Sequence, residues 1–254
     1  MTRAIVHGAG RMARMVLAQM PEFENYELTA VISRTPVADL NTTVCYTSLD
    51  EFAAQADLLI DFTLPGGTRS AAQWCERNGV ALLSGTTGLA DEDFQALEAA
   101  AVKIPVLWAP NLSHGMALMS VLVAKAAASL GTSANITIAD IHHEHKVDAP
   151  SGTALALATA VMEGRSERLE DLLEPGRLEN LASGDEGELA FTSVREGEVV
   201  GEHTVSFALS DEVIEITHKA LDREVFAKGA LKAGEWLVTQ QPGYYSTSDW
   251  LGLG

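Results

Sequence analysis

Through residues 1–112, short apolar runs alternate with amphipathic stretches. Ala4 to His7, "YELTAVISR", "DLLIDF", "VALLSGTTG" and "IPVLWAPN" are the apolar runs. Runs this short, bounded by turn residues, predict strands buried on both faces. Between them, "RMARMVLAQMP", "SLDEFAAQ", "GTRSAAQWCERNG" and "DEDFQALEAAAVK" predict helices. Pro21 ends the first, Ser48 with Glu51 predicts a capping box for the second, and Gly79 closes the third. The fourth carries acids in its first turn, where the helix dipole favours them. Strand and helix in alternation predict an α/β region built on a Rossmann-like, doubly wound parallel sheet.

From residue 113 the pattern changes. "SHGMALMSVLVAKAAASLG" predicts one long helix ended by Gly131, "NITIADIHHEH" a strand, and "SGTALALATAVMEG" a helix. Residues 164–186 are polar and predict loop. "GELAFTSVRE", "EHTVSFALS" and "EVIEITHKA" then predict three strands in an antiparallel meander, and "DREVFAKGALKAGEWLVTQ" a closing helix. The second region is therefore α+β, with a mixed, largely antiparallel sheet. No repeat or low-complexity linker separates the two regions.

Charge narrows the choice of partner. The 254 residues carry a formal net charge of −18, which argues against nucleic acid because phosphate binding needs a basic face. Residues 163–202 hold twelve Asp and Glu against four Arg, the pattern of a solvated face. A small anionic substrate requires cations gathered locally. Cys45 and Cys75 lie far apart in no metal-like spacing, which fits a reducing compartment. No apolar run is expected to reach the length of a membrane span, and the chain opens on a strand rather than a signal peptide. A cytoplasmic protein without membrane contact is expected.

"GAGRMA" matches G-x-G-x-x-G/A directly after the first strand, at the start of a helix. Gly8 permits the tight turn, Gly10 lets backbone approach a pyrophosphate, and Ala13 allows the helix to pack on the sheet. The helix start turns its N–H groups towards phosphate. The bland alternative is a tight turn without a ligand. The second strand ends in Ser33 and Arg34 rather than the acid that binds a ribose 2′-OH in NAD sites. An arginine pairs with a 2′-phosphate, so NADPH is favoured over NADH, with NADH still possible. Asp39 lies further along, within reach of a ribose. Two more loops follow strand C-termini, "SGTTG" (Gly85, Thr86, Thr87) and "APNLS" (Ala109, Pro110, Asn111, Leu112, Ser113). Both offer groups of carboxamide size.

The densest chemistry is "ADIHHEHKVDAPSGTAL". His143 and His145 share a face if the strand continues, and Asp148 offers a third metal ligand. Nothing else completes a zinc set, and Lys146 puts a cation beside the ion, so no metal is expected. The other reading is acid–base chemistry at an anion site. Pro150 turns the chain, Ser151 caps a helix, and Gly152 and Thr153 open it. A proton donor, a cation and a carboxylate cradle then fall close together. Reduction of a polarised C=C or C=N bond in a carboxylated substrate needs such a set. The bland alternative is a strand end followed by a capped helix.

These residues carry a resemblance. "HHEHKVDAPSGTA" resembles the signature of the dihydrodipicolinate reductase family, the 4-hydroxy-tetrahydrodipicolinate reductases of the diaminopimelate–lysine pathway. "GAGRM", "DFT", "SGTTG", "APNLS", "VREGEVVGEHTVSF" and "EITHKA" follow in the family's order. The resemblance implies His142 as proton donor and acceptor, Lys146 as proton donor, His143 in contact with substrate, and Gly152 and Thr153, beside Ser151, on a substrate carboxylate. It implies cofactor contacts at Gly8, Ala9, Gly10, Arg11 and Met12, at Arg34 (with Ser33 added from the strand end), and in the two loops from Gly85 to Thr87 and from Ala109 to Leu112. It also implies a homotetramer, and a last helix that returns to the first region. Residues 1–112 with about 224–254 would bind the dinucleotide, and 113–223 the substrate and partner subunits. Three features depart from the family. The glycine turn is one residue short, Ser33 replaces the common acid, and Asp140 stands where glutamate is frequent. Two other readings of the chain are a nucleotide-binding regulator without catalysis and a related amino-acid or semialdehyde dehydrogenase.

Overall fold

The structure, a computed structural model, describes residues 1–34, 45–52, 55–167 and 187–253. Asp39 and most of the polar stretch 164–186 lie outside the described residues. In chain order the elements are β1 (Thr2–His7), α1 (Arg11–Gln19), β2 (Tyr26–Ile32), β3 (Cys45–Tyr46), β4 (Leu58–Asp61), α2 (Gly67–Asn78), β5 (Ala81–Ser84), α3 (Asp91–Ala101) and β6 (Pro105–Trp108). There follow α4 (His114–Leu130), β7 (Asn135–His142), α5 (Gly152–Arg165), β8 (Leu189–Arg195), β9 (Gly201–Ala208), β10 (Val213–Ala220), α6 (Glu224–Leu237), β11 (Gly243–Tyr245) and α7 (Thr247–Trp250). The chain divides into two compact units, Met1–His114 with Glu224–Gly254, and Gly115–Arg223.

The first unit holds a parallel sheet in the order β11-β6-β5-β4-β1-β2-β3. The order reverses direction between β1 and β4, which makes their C-terminal ends the switch point where such sheets bind ligands. β4 and β5 are buried along their whole length, as expected of runs covered on both faces. One core layer joins Val6, Ala13, Val16 and Ile60 to Ala227, Ala230 and Leu231 of α6. The other joins Ile5, Leu59, Leu82 and Leu97 to Trp74. α6 packs closely because Gly229 faces the Leu112 carbonyl, where a Cβ would lie 1.8 Å from the oxygen. α2 ends on Gly79 in the left-handed conformation, as predicted.

The region between β3 and β4 differs from the prediction. "SLDEFAAQ" forms one 3₁₀ turn, Leu49–Glu51, among its described residues. Ser48 caps it, but Glu51 turns its carboxylate onto Thr47, so the helical capping box does not close. The short strands β3 and β11 carry too little apolar pattern to be legible in the sequence.

The second unit holds a sheet in the order β10-β9-β7-β8. The predicted meander is not formed. β9 and β10 pair antiparallel, but β7 lies between β9 and β8, and β7 with β8 is parallel. The cause is α5, which follows β7 and makes the connection to β8 a crossover; a crossover returns the chain parallel, whereas a hairpin would reverse it. One core joins Met119 and Val123 of α4 to Leu157 and Val161 of α5 and to Ile136, Ile138, Val205 and Phe207 of the sheet. The segment His114–Ser133 corrects a second expectation. At 20 residues and a mean hydropathy of 1.4 it has the length and composition of a membrane span. Met116, Met119, Val123 and Ala127 of this segment are core residues of the unit.

Candidate functional site

In the first unit the predicted cofactor residues gather at the C-terminal edge of the parallel sheet. Gly8 has φ +115°, and a Cβ there would stand 2.5 Å from the Phe62 carbonyl oxygen. The turn therefore needs glycine both for its conformation and for the contact of the β1 and β4 loops. Gly10 is the N-cap of α1, no side chain caps that helix, and nothing lies within 4 Å of where a Cβ would be. An uncapped helix start beside open space fits a pyrophosphate. Ala9 and Met12 are half-buried, Arg11 is exposed, and Ala13 is fully buried against the sheet. Ser33 is fixed by its N–H to the Tyr46 carbonyl, and Arg34 follows it, exposed. These residues fit a dinucleotide, and Arg34 follows the end of β2.

A buried carboxylate missed by the sequence reading organises this edge. His7, Asp61 and Ser84 are cross-strand neighbours at the ends of β1, β4 and β5. Asp61 is fully buried. Its Oδ1 accepts from Thr63 Oγ1 at 2.7 Å, and its Oδ2 accepts from Thr68, Ser84 and Thr86 at 2.7, 2.8 and 3.0 Å. His7 Nδ1 lies 3.2 Å from Oδ1. Burial alone would raise the Asp61 pKa; His7 and the threonine hydroxyls outweigh it and hold the group below the usual carboxylate range.

The network also takes in Thr86. Its hydroxyl donates to Asp61 and accepts from Thr63 N–H, and its carbonyl accepts from Trp108 Nε1. Thr86 thus builds the loop from inside, while Thr87 is exposed. In the β6 loop Ala109 and Leu112 are core residues, Pro110 is exposed, and Asn111 Oδ1 accepts from Ser113 N–H.

In the second unit the histidine motif begins where β7 ends. β7 stops at His142, so His143 and His145 do not continue the strand as predicted; their rings lie 6.2 Å apart in the turn that follows. His143 N–H donates to Val199, and His145 is exposed. Among the described residues no group of three or more His, Cys, Asp or Glu side chains is disposed to hold a metal. Lys146 Nζ donates to both oxygens of Asp148, at 2.9 and 2.8 Å. Asp148 is exposed; what desolvation it has would raise its pKa, but Lys146 holds it below the usual range.

His142 and Asp140 occupy the inward phase of β7, in line with Ile136 and Ile138. Asp140 is fully buried. Its Oδ1 accepts from Ser193 Oγ at 2.6 Å and from Ser151 N–H at 3.4 Å. Its Oδ2 accepts from Arg195 Nη1 at 2.8 Å and lies 2.9 Å from His142 Nδ1. Burial would raise the Asp140 pKa; Ser193, Arg195 and His142 reverse this and hold it below the ordinary value. Burial pushes the His142 imidazole down, Asp140 pulls it up, and Lys146 and Arg195 push it down, with a net fall. His203 on β9 packs edge-on against His142, with ring centroids 5.0 Å apart. Burial and the neighbouring His142 push His203 down to about 4.

α5 begins as predicted, with Ser151 as N-cap; its Oγ accepts from Ala154 N–H at 3.1 Å and lies 3.3 Å from His203 Nε2. Ser151 is buried, so it shapes the helix start from inside. Gly152 is exposed and Thr153 half-buried at the positive end of the helix. Arg195 Nη2 also donates to the Asp148 carbonyl at 2.5 Å, tying β8 to the loop that bears Lys146. Ser193, Arg195 and His203 had no assigned role in the sequence reading.

A doubly wound parallel sheet with a glycine turn at its switch point, joined to an α+β unit carrying an imidazole–lysine–helix-start cluster, defines a two-unit dinucleotide-dependent oxidoreductase. Residues 2–112 match the family described as Dihydrodipicolinate reductase, N-terminus, and residues 115–251 its C-terminus. A 4-hydroxy-tetrahydrodipicolinate reductase from Alkalilimnicola ehrlichii is 42% identical over 98% of each chain. One from Zymomonas mobilis is 39% identical over 98% of this chain and 96% of that one. The solved dipicolinate-bound dihydrodipicolinate reductase from Paenisporosarcina sp. TG-14 shares the fold, with a TM-score of 0.79 at 24% identity over 98% of this chain and 99% of the other. The chain belongs to the dihydrodipicolinate reductase family. It is accordingly an NAD(P)H-dependent enzyme of the diaminopimelate and lysine route.

Proposed function

We propose that this protein reduces 4-hydroxy-tetrahydrodipicolinate to tetrahydrodipicolinate and water, with residues 1–112 and about 224–254 binding the nucleotide and residues 113–223 the substrate. The observation that carries the reading is the cluster in the second unit. It sets a buried, carboxylate-held imidazole, a lysine and a capped helix start around one strand end. A dicarboxylate needs cationic or N–H partners, and a protein of net charge −18 must concentrate them. Lys146 and the helix start at Gly152 and Thr153 supply them locally, with His143 at the rim. A substrate carboxylate competes with Asp148 for Lys146. His142 and Lys146 manage the proton at the reacting end.

When bound at the glycine turn, the nicotinamide supplies the reducing equivalent. Gly8, Ala9, Gly10, Arg11 and Met12 would hold its pyrophosphate. Ser33 and Arg34 favour NADPH over NADH, because Arg34 pairs with a 2′-phosphate and Ser33 does not repel it. Gly85, Thr86, Thr87 and the Ala109–Leu112 loop would hold the nicotinamide end, with Thr86 also bracing the Gly85–Thr87 turn through Asp61. A cytoplasmic homotetramer is the assembly the family resemblance supports.

The test is a pair of substitutions. His142→Ala and Lys146→Ala should each lower turnover of 4-hydroxy-tetrahydrodipicolinate by about 10² or more, while NADPH still binds. Near-wild-type turnover in both variants would overturn the assignment.

A further inference from the structure

His142 is buried beside a carboxylate, and that arrangement decides which ring nitrogen can exchange a proton. Asp140 has all of its contacts from donors: Ser193 Oγ, Arg195 Nη1 and Ser151 N–H. An ionised carboxylate only accepts, so the His142 nitrogen 2.9 Å away must carry the hydrogen. That nitrogen is Nδ1. The other side of the ring has a second constraint. A Cβ at Gly201 would stand 3.1 Å from His142 Nε2, so the glycine on β9 keeps a side chain off that atom. The same carboxylate also receives the N–H of Ser151, the residue that caps α5. One buried group thus ties the imidazole to the helix start.

We propose that Asp140 is a positioning residue that locks His142 as the Nδ1–H tautomer, leaving Nε2 as the single ring atom that exchanges a proton, and fixes that ring relative to the α5 start. The inference rests on the proposed reductase function only for what the proton is used for. In the neutral ring Nε2 is an acceptor, so His142 takes up a proton first and gives one only afterwards. The first donation to substrate then falls to Lys146. The charged and titratable groups around the ring are Asp140 on β7, Arg195 on β8, His203 on β9 and Lys146 in the following turn. Asp140 alone of these pulls the ring towards protonation.

The experiment is nitrogen-15 NMR of histidine-labelled full-length protein, with the His142 ring assigned by comparison with His142→Gln. In the wild type at slightly alkaline pH the two-bond correlations should show hydrogen on Nδ1 and a bare Nε2. In Asp140→Asn Arg195 keeps the amide oxygen towards Nδ1, so the tautomer persists while the ring, without the carboxylate charge, should titrate at lower pH; in Asp140→Leu Nδ1 has no acceptor, and the hydrogen should move to Nε2. Asp140→Glu should restore both the tautomer and the midpoint. In parallel, kcat should fall about tenfold or more in Asp140→Asn, with the KM for nucleotide unchanged and the acid limb of the pH profile displaced. A wild-type ring with hydrogen on Nε2 overturns the proposal even if Asp140→Asn fails to fold. An unchanged tautomer in Asp140→Leu, or an unchanged midpoint in Asp140→Asn, also overturns it. The spectrum reads the tautomer whether or not the protein turns over this substrate, so failure of the functional reading leaves the tautomer result standing.

Discussion

His203 gives the prediction whose size can be worked out most fully. It is 4% exposed, packed on His142 and 3.3 Å from the Ser151 hydroxyl, and its pKa falls from 6.5 to about 4. A base with a depressed folded pKa binds fewer protons folded than unfolded between those two values. Stability should therefore decline as pH falls from about 6.5 and level off near 4. The whole interval corresponds to roughly 3 kcal/mol, and about 2 kcal/mol of it falls between pH 7 and pH 5. That is a large part of the stability of an ordinary domain. His203→Gln keeps an amide for Ser151 but removes the titration. The assay is urea unfolding of both proteins at pH 7 and pH 5, at one protein concentration so that any assembly contributes equally. The wild type should lose about 2 kcal/mol more than the variant across that interval. His142 and His218, also depressed by burial, leave a residual slope in both proteins. Equal losses in wild type and variant would refute the reasoning.

Three further outcomes follow from the nucleotide edge. Gly8→Ala forces a Cβ against the Phe62 backbone at a positive φ, and should cost about 1–3 kcal/mol in denaturant unfolding along with nucleotide binding. Gly10→Ala meets no neighbour, so its stability should stay within about 1 kcal/mol of wild type. Its NADPH affinity should nonetheless fall in a fluorescence titration, and an unchanged Kd would remove the pyrophosphate from that helix start. Arg34→Ala should raise the KM for NADPH about tenfold or more while leaving the KM for NADH nearly unchanged. An equal change for both cofactors would refute the 2′-phosphate contact.

What the sequence made legible was local. The apolar runs located the buried strands, and "GAGRMA" and "APSGTA" carried their own turn and cap chemistry within a few residues. Pairing across distance was not legible. β8 was assigned to a meander because three strands in succession look like hairpins; only the α5 crossover makes it parallel to β7. Asp61 and Asp140 show the same limit. Each sits at an inward position of an apolar strand, which signals a buried acid. Their partners come from residues 7, 63, 68, 84 and 86 in one case, and from 142, 151, 193 and 195 in the other. Asp140, a substitution with no role in the sequence reading, becomes the residue that holds the histidine. The internal bonds of Thr86 to Asp61 and of Ser151 to His203 were likewise invisible, because their partners lie far along the chain.

The central claim is tested most directly by a steady-state assay of the wild-type protein. NADPH and freshly generated 4-hydroxy-tetrahydrodipicolinate are mixed with enzyme, and loss of the reduced-nicotinamide absorbance is followed beside a panel of amino acids and semialdehydes. The account predicts substrate-dependent oxidation of NADPH with the cyclic dicarboxylate, far above every other compound. Tight NADPH binding with no turnover of that substrate, or faster turnover of another member of the panel, would contradict it.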